Sequence, residues 1–212
     1  MNNIITPFFT NILIKDYEKS EQWNCELINT LKALSLNGEY CDLRKDLKNN
    51  KNTFLLKYDY HKLSKPYVIT EETSSMFPII KELRDMYIDC FYELASSFKN
   101  NILTKDEIKK IFFSDSGNFT ELKKNMVVGL HNHPSRAFAI FYLSDVDNSQ
   151  YGGELILHDP AFHANKGFHP KQKIKIKTKK NRMIIGPSYI WHEVSKFYGK
   201  DRLCAVVDLD RK

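Results

Sequence analysis

Apolar residues recur along this chain with two different periods, and the change of period divides it. Near the start, Trp23, Leu27, Ile28, Leu31 and Leu34 follow helical spacing, and Ser20 is placed as the N-cap. A stronger stripe runs through Ile79, Ile80, Leu83, Met86, Tyr87, Cys90, Phe91 and Leu94. It keeps one apolar face over about four turns. Thr73 or Ser74 is placed to begin that helix, and Pro78 is tolerated only in its first turn. A short helix is expected over 105–112. Residues 8–14 are apolar and β-branched enough for a first strand. Residues 36–66 are polar, with "NGEY" and "LKNNKN" marking turns and a short strand expected near 53–58.

From about Phe119 onward the chain becomes a series of short strands. They are expected at 126–131, 137–143, 154–158, 173–177, 182–185, 191–195 and 203–209. Turn signals such as "DVDNSQYGG", "KKN", "GPS" and "FYGKD" separate them. Many short strands with regular turns predict a sandwich or barrel. The fold class is therefore α+β: a jelly-roll-type β-core over 120–212, backed by a strand and supporting helices over 1–119, in a single domain over 1–212.

Composition narrows the picture modestly. The chain has 212 residues, 42% of them hydrophobic and 13% aromatic, enough for a sizeable core. No stretch reaches the run of about 18 apolar residues that a membrane span needs. The first residues lack the basic and small-residue pattern of a secretory leader, so a cytoplasmic location is expected. Cys25, Cys41, Cys90 and Cys204 are scattered without a CxxC pair, which suits reduced thiols rather than a zinc ribbon or redox dithiol. The net charge is +6, part of it in "KQKIKIKTKKNR". There Lys171, Lys173, Lys175 and Lys177 alternate with Gln172, Ile174, Ile176 and Thr178. That period of two describes a strand with one wet face, and it favours a solvated face over a surface for nucleic acid or an acidic partner. The lysines also guard a strand against edge-to-edge pairing.

Chemistry concentrates in three pieces. In "GLHNHPSRAFAIFYL", His131 and His133 stand two apart, so a strand continuing through both would aim them into one cavity. Paired imidazoles suit iron, copper, nickel or zinc. Packing histidines beside a turn would read the same way. In "IIGPSYIWHEVSKFYGKDRLCAVVDL", His192 opens one apolar strand and Arg202 begins the next. An arginine among apolar residues demands an anion. Either a bound carboxylate or a hairpin ion pair with Asp201 or Glu193 would satisfy it. In "FYLSDVDNSQYGGELILHDP", Tyr142 lies in an apolar strand, Gly152 and Gly153 fit a tight turn or bulge, and Asp159 precedes Pro160. Trp191 and Glu193 should point away from His192 by alternation. His61, His158, His163 and His169 fit the surface, the last two in a turn long enough to form a lid.

Taken in order, "HNHP", "YLSD", "YGGEL" and "PSYIWHEV" followed by Arg202 resemble the Fe(II)/2-oxoglutarate-dependent oxygenases. "YLSD" with "YGGEL" is similar to the prolyl-hydroxylase-like branch, and "HNHP" with "PSYIWHEV" to a branch carrying an HxHP motif. The resemblance spans 126–209. It implies a double-stranded β-helix that uses Fe(II), 2-oxoglutarate and O2 to hydroxylate a C–H bond of a small molecule, amino acid or peptide side chain. His131 and His192 would be metal ligands. Arg202 would bind the remote carboxylate of 2-oxoglutarate, with Tyr142 donating to the same group.

The departure lies at position 133, where most relatives carry the aspartate of an HxD pair. His133 can be the third ligand, Asp159 can supply the carboxylate from the end of its strand, or the position can be left to water or an anion. The last suits a small residue, which His133 is not. Two other functions use the same strands: a three-histidine dioxygenase independent of 2-oxoglutarate, and a non-catalytic jelly-roll binding module. The partner class is a small molecule or peptide; oligomeric state is not encoded in any of these patterns.

Overall fold

The computed structural model describes residues 2–5, 10–36, 59–60, 62–63, 68–98, 103–111, 117–159 and 173–209. The strand expected near 53–58, Cys41, His61 and the expected lid with His163 and His169 lie outside these residues.

Two strands open the chain, β1 (Asn2–Ile5) and β2 (Ile12–Asp16). Helix α1 (Glu21–Leu36) follows, with Ser20 Oγ accepting from the Trp23 backbone N–H at 3.1 Å as expected of its cap. Short strands β3 (Asp59–Tyr60) and β4 (Lys62–Leu63) come next. Then come α2 (Glu71–Met76), α3 (Pro78–Ser96) and α4 (Lys105–Ile111). The remaining strands are β5 (Gly117–Lys123), β6 (Met126–His131), β7 (Ala137–Tyr142), β8 (Leu155–His158), β9 (Lys173–Ile176), β10 (Arg182–Pro187), β11 (His192–Val194) and β12 (Asp201–Leu209). A single helical turn, α5 (Asn148–Tyr151), interrupts the link from β7 to β8.

The strands form two facing sheets. The larger has seven strands in the order β1-β2-β10-β7-β12-β5-β4, and the smaller has five in the order β3-β6-β11-β8-β9. Neighbours far apart in sequence, such as β2 beside β10 and β6 beside β11, give the double-stranded β-helix winding. The larger sheet crosses the boundary placed at residue 119: β1 and β2 precede it, and β5 begins before it.

Alternation along each strand makes two cores. On β7, Ala139 and Phe141 face the helices, while Phe138, Ile140 and Tyr142 face the other sheet. The first core joins Leu27, Leu31, Ile80, Leu83, Tyr87 and Phe91 to that outer face. Each such side chain removed from water stabilises the fold by about 1.5–3 kcal/mol. Tyr87 also donates to the Ala205 carbonyl at 2.9 Å, tying α3 to β12. The second core lies between the sheets, where Leu155, Leu157 and Val194 meet Phe138, Ile140 and Cys204.

The structure revises several expected boundaries. The strand expected at 8–14 is β2, beginning at Ile12. Thr73 and Ser74 do not begin α3. They belong to α2, which Thr70 caps in a reciprocal pair: the Thr73 N–H donates to Thr70 Oγ1 at 3.1 Å and the Thr70 N–H to Thr73 Oγ1 at 2.9 Å. Pro78 forces Phe77 into extended backbone, which separates the two helices. Strand β5 was not expected at all. The lysine strand behaves as read: Lys173 and Lys175 are exposed, Ile176 is buried, and the two lysines lie 3.5 Å from Glu193 and 3.7 Å from Glu154. Among the described residues, no helix is long and apolar enough to cross a membrane.

One ion pair fastens the edge of the larger sheet. Arg182 of β10 stands opposite Asp16 of β2 and grips it with Nε at 2.7 Å and Nη2 at 3.0 Å; Lys179 adds a contact at 2.7 Å. The Arg182 bond, then Lys179, lowers the Asp16 pKa from 3.8 to about 2 against the opposing effect of burial. A carboxylate whose folded pKa is depressed stabilises the fold above its unfolded pKa and loses that contribution as pH falls through the folded one. Asp16→Asn should therefore cost roughly 1–2 kcal/mol at neutral pH, after discounting for partial exposure. The difference from wild type should shrink between about pH 4 and pH 2; urea titrations across that range measure it, and a pH-independent difference would refute it.

Candidate metal and anion site

Three histidines converge between the sheets. The ring nitrogens that His131, His133 and His192 offer lie within 4.8 Å of one another. His192 opens β11 and pairs in register with His131 at the end of β6. The register slips between His192 and Val194, so that Val128, three residues before His131, is the partner of Val194. Such a bulge re-aims side chains, letting Val128 join the inter-sheet core and His131 join the cluster. His133 arrives differently from the alternation expected. β6 ends at His131, and His133 lies beyond it, its N–H donating to the Ser188 carbonyl at 3.3 Å.

Hydrogen bonding sets which nitrogen of each ring faces inward. His131 Nδ1 lies 2.7 Å from the Gly129 carbonyl, and His192 Nδ1 lies 3.0 Å from the Ile190 carbonyl. Carbonyls only accept, so both rings carry their proton on Nδ1 and keep an Nε2 lone pair. His133 Nδ1 lies 2.7 Å from Asp208 Oδ1, and an anionic oxygen there favours a proton on Nδ1. His133 Nε2 then meets His192 Nε2 at 3.1 Å. Two nitrogens at that distance are satisfied by a shared proton or by a metal ion between them. Ligands at right angles around a metal held about 2.1 Å away lie about 3 Å apart, so the His133–His192 pair has the spacing of two ligands of a first-row metal. Burial, then the neighbouring histidines, push His131 below the ordinary histidine pKa and His192 well below it. Both favour the neutral, ligating form. The Phe138 ring stacks on His192 with centroids 4.4 Å apart and walls this end of the interior.

The second half of the site is a buried guanidinium. Arg202 is 1% exposed. Its Nε donates to the Gly153 carbonyl at 2.9 Å, with Thr178 Oγ1 at 3.4 Å. Its Nη2 donates to Tyr142 Oη at 3.2 Å, and among the described residues its Nη1 meets the Cys204 thiol at 3.7 Å. Among the described residues no carboxylate pairs with it. The expected hairpin partners do not: Glu193 instead contacts His158 at 2.9 Å and Lys173. Tyr142 accepts from Arg202, which leaves its own proton to donate. Burial raises the Tyr142 pKa against the pull of Arg202, so the phenol stays protonated. The guanidinium fork and the phenol together offer donors that one carboxylate would satisfy.

Gly152 and Gly153 explain why "YGGEL" precedes β8. Both have positive φ, at 66° and 80°. A Cβ on Gly153 would lie 3.3 Å from Arg202 Cδ, and one on Gly152 would strike the Lys196 carbonyl at 2.3 Å. Ser195 Oγ holds the turn by accepting from the Gly153 and Glu154 N–H groups at 2.9 and 3.1 Å.

Of the residues singled out from sequence, the structure brings together His131, His133 and His192 at one place and Tyr142 with Arg202 at another. Asp159, half-buried after β8, is not a member of the histidine cluster. The contributions of Asp208, Thr178 and Phe138 were missed. Asp208 and Phe138 sit within apolar strands, and only their alternation with the outward-facing residues could have shown that they point inward.

Residues 120–207 match the model of the 2OG-Fe(II) oxygenase superfamily. That match lies within the β-core, from β5 to β12, and covers less than half of the chain. Among solved structures it is similar to a prolyl hydroxylase of Trichoplax adhaerens in complex with a hypoxia-inducible factor peptide. Identity is 13% and the TM-score 0.57, over 94% of this chain and 83% of that one. A Pseudomonas putida prolyl-4-hydroxylase is 11% identical with a TM-score of 0.55, over 95% of this chain and 94% of that one. A collagen prolyl hydroxylase of Paramecium Bursaria Chlorella virus-1, solved with 2-oxoglutarate, is 12% identical with a TM-score of 0.53, over 95% and 96%. At these identities the likeness is one of fold. No curated protein matches the chain.

His131→Ala and His192→Ala should each abolish stoichiometric binding of Ni(II), a redox-inert stand-in, in calorimetry, with the fold intact by circular dichroism. Unchanged binding in either would refute the cluster as a metal site. Gly153→Ala should destabilise the protein by roughly 1–2 kcal/mol from its φ alone; thermal unfolding measures this, and an unchanged midpoint would contradict the turn's role.

Proposed function

We propose that the chain is a non-haem Fe(II)- and 2-oxoglutarate-dependent dioxygenase in which His131, His133 and His192 hold the metal. Arg202 and Tyr142 bind the remote carboxylate of 2-oxoglutarate. The observation that carries this reading is Arg202: a cation 1% exposed, on the inner face of the sandwich, with no carboxylate partner among the described residues. An isolated buried charge is costly, and a carboxylate of the cosubstrate removes that cost.

With 2-oxoglutarate and O2, the bound metal would supply the oxidising chemistry for hydroxylation of a substrate C–H bond. The chain's own share is positional. Gly129, Ile190 and Asp208 hold the three rings with Nε2 inward. Gly153 and Thr178 hold the Arg202 fork from behind. Phe138, Ile140 and Cys204 line the space between and exclude water. The substrate is a small molecule, an amino acid or a peptide side chain, in keeping with the peptide bound to the Trichoplax adhaerens relative.

The purified chain with Fe(II) and O2 should convert 2-oxoglutarate to succinate, even uncoupled from substrate. Arg202→Ala should weaken 2-oxoglutarate binding at least about tenfold, the scale of one charge-assisted bond, while leaving Ni(II) binding near wild type. O2 consumption that needs the histidines but not 2-oxoglutarate would establish the three-histidine, 2-oxoglutarate-independent dioxygenase instead.

A further inference from the structure

The site has three neutral ligands and no carboxylate among them, yet a buried carboxylate lies directly behind one. Asp208 is 3% exposed, and its Oδ1 is 2.7 Å from His133 Nδ1, an ion-pair distance without the alignment of a hydrogen bond. His131 and His192 are held differently, each by the backbone carbonyl two residues earlier. His133 follows β6 rather than lying within it, so the strand does not orient its ring. Asp208 stands on β12, hydrogen-bonded to β7 opposite Phe138, and Phe138 stacks on both His192 and His133.

We infer that Asp208 is a positioning residue for the metal centre, acting through His133. It holds the third imidazole with Nε2 toward the cluster and supplies, from behind the ring, the negative charge that three histidines lack. Two physical effects combine. A fixed anion beside Nδ1 favours a proton there, and so the ligating tautomer, and limits ring rotation. An anion there makes Nε2 a stronger donor, and partly offsets the charge of a dication in a low-dielectric interior. The inference rests on His133 being a ligand.

The test is a cycle of Asp208→Asn, His133→Ala and the double variant, read by anaerobic Fe(II) and Ni(II) affinity and by thermal unfolding of the metal-free chain. Asp208→Asn should weaken metal binding about 10- to 100-fold, the range typical of such partners. In the His133→Ala background it should weaken binding no further. Equal weakening with and without His133 would make Asp208 merely structural and overturn the inference, as would no weakening in the single variant. His133→Ala binding metal like wild type would remove the ligand itself, a separate result from a weakened His133→Ala beside an unaffected Asp208→Asn. Should the variants not fold, ring-nitrogen NMR of the wild-type chain decides: a proton on His133 Nδ1 is required, and one on Nε2 refutes the inference.

Discussion

A guanidinium sealed between two sheets is the constraint on which the rest of this structure turns. Moving an ion out of water costs several kcal/mol even after relaxation, and the fold places Arg202 there nonetheless. Part of the cost is met locally. The Gly153 carbonyl is aimed at Nε by a turn that only glycines enter without strain, and Ser195 and Thr178 fix that turn. Thr178 is positioned in its turn by Asn148, whose Oδ1 accepts from its N–H at 2.8 Å. The "YGGEL" turn, α5 and the start of β10's approach are thus shaped by one cation. What they leave unmet is the face of the fork beside Tyr142.

β12 links that cation to the metal end. It lies between β7 and β5, bonded on both edges, so its side chains sit on rigid backbone. Leu203, Ala205, Val207 and Leu209 face the helical layer, while Arg202, Cys204 and Asp208 lie on the opposite face. From Arg202 to Asp208 the strand runs about 20 Å, with the length of the site between them. The helices add no chemistry. Their role is to bury the outer face of that sheet, with Tyr87 bonded to it directly.

Strand and helix positions were legible wherever one period ran for several residues, as in α1, α3, β6, β7 and β12. β5 was not, because "GNFTELK" alternates only partly and is buried along most of its length by neighbours that sequence cannot supply. The break before Pro78 was misread because Thr70, Thr73 and Ser74 all belong to cap-forming types, and only geometry shows which one caps. The histidines were legible as types, and His131 with His192 as strand-end residues. Their convergence was not, since it depends on a slipped register between β6 and β11. Asp208 looked like an ordinary residue near the end of an apolar strand, and its partner is 75 positions away in number but 2.7 Å away in space.

Charge explains why these parts belong together. Among the described residues, the buried charged groups between the sheets are Arg202 at one end and Asp208 at the other. A dication on three neutral histidines would leave the interior net positive, since Asp208 offsets no more than the charge of Arg202. A monovalent anion could answer only one end. In the proposed reading a dicarboxylate would answer both, with one group held by the Arg202 fork and Tyr142. In the proposed reading the HxH arrangement would keep the logic of an iron site with a carboxylate: the charge would have moved one side chain outward, and the cosubstrate would carry a larger share of the neutralisation.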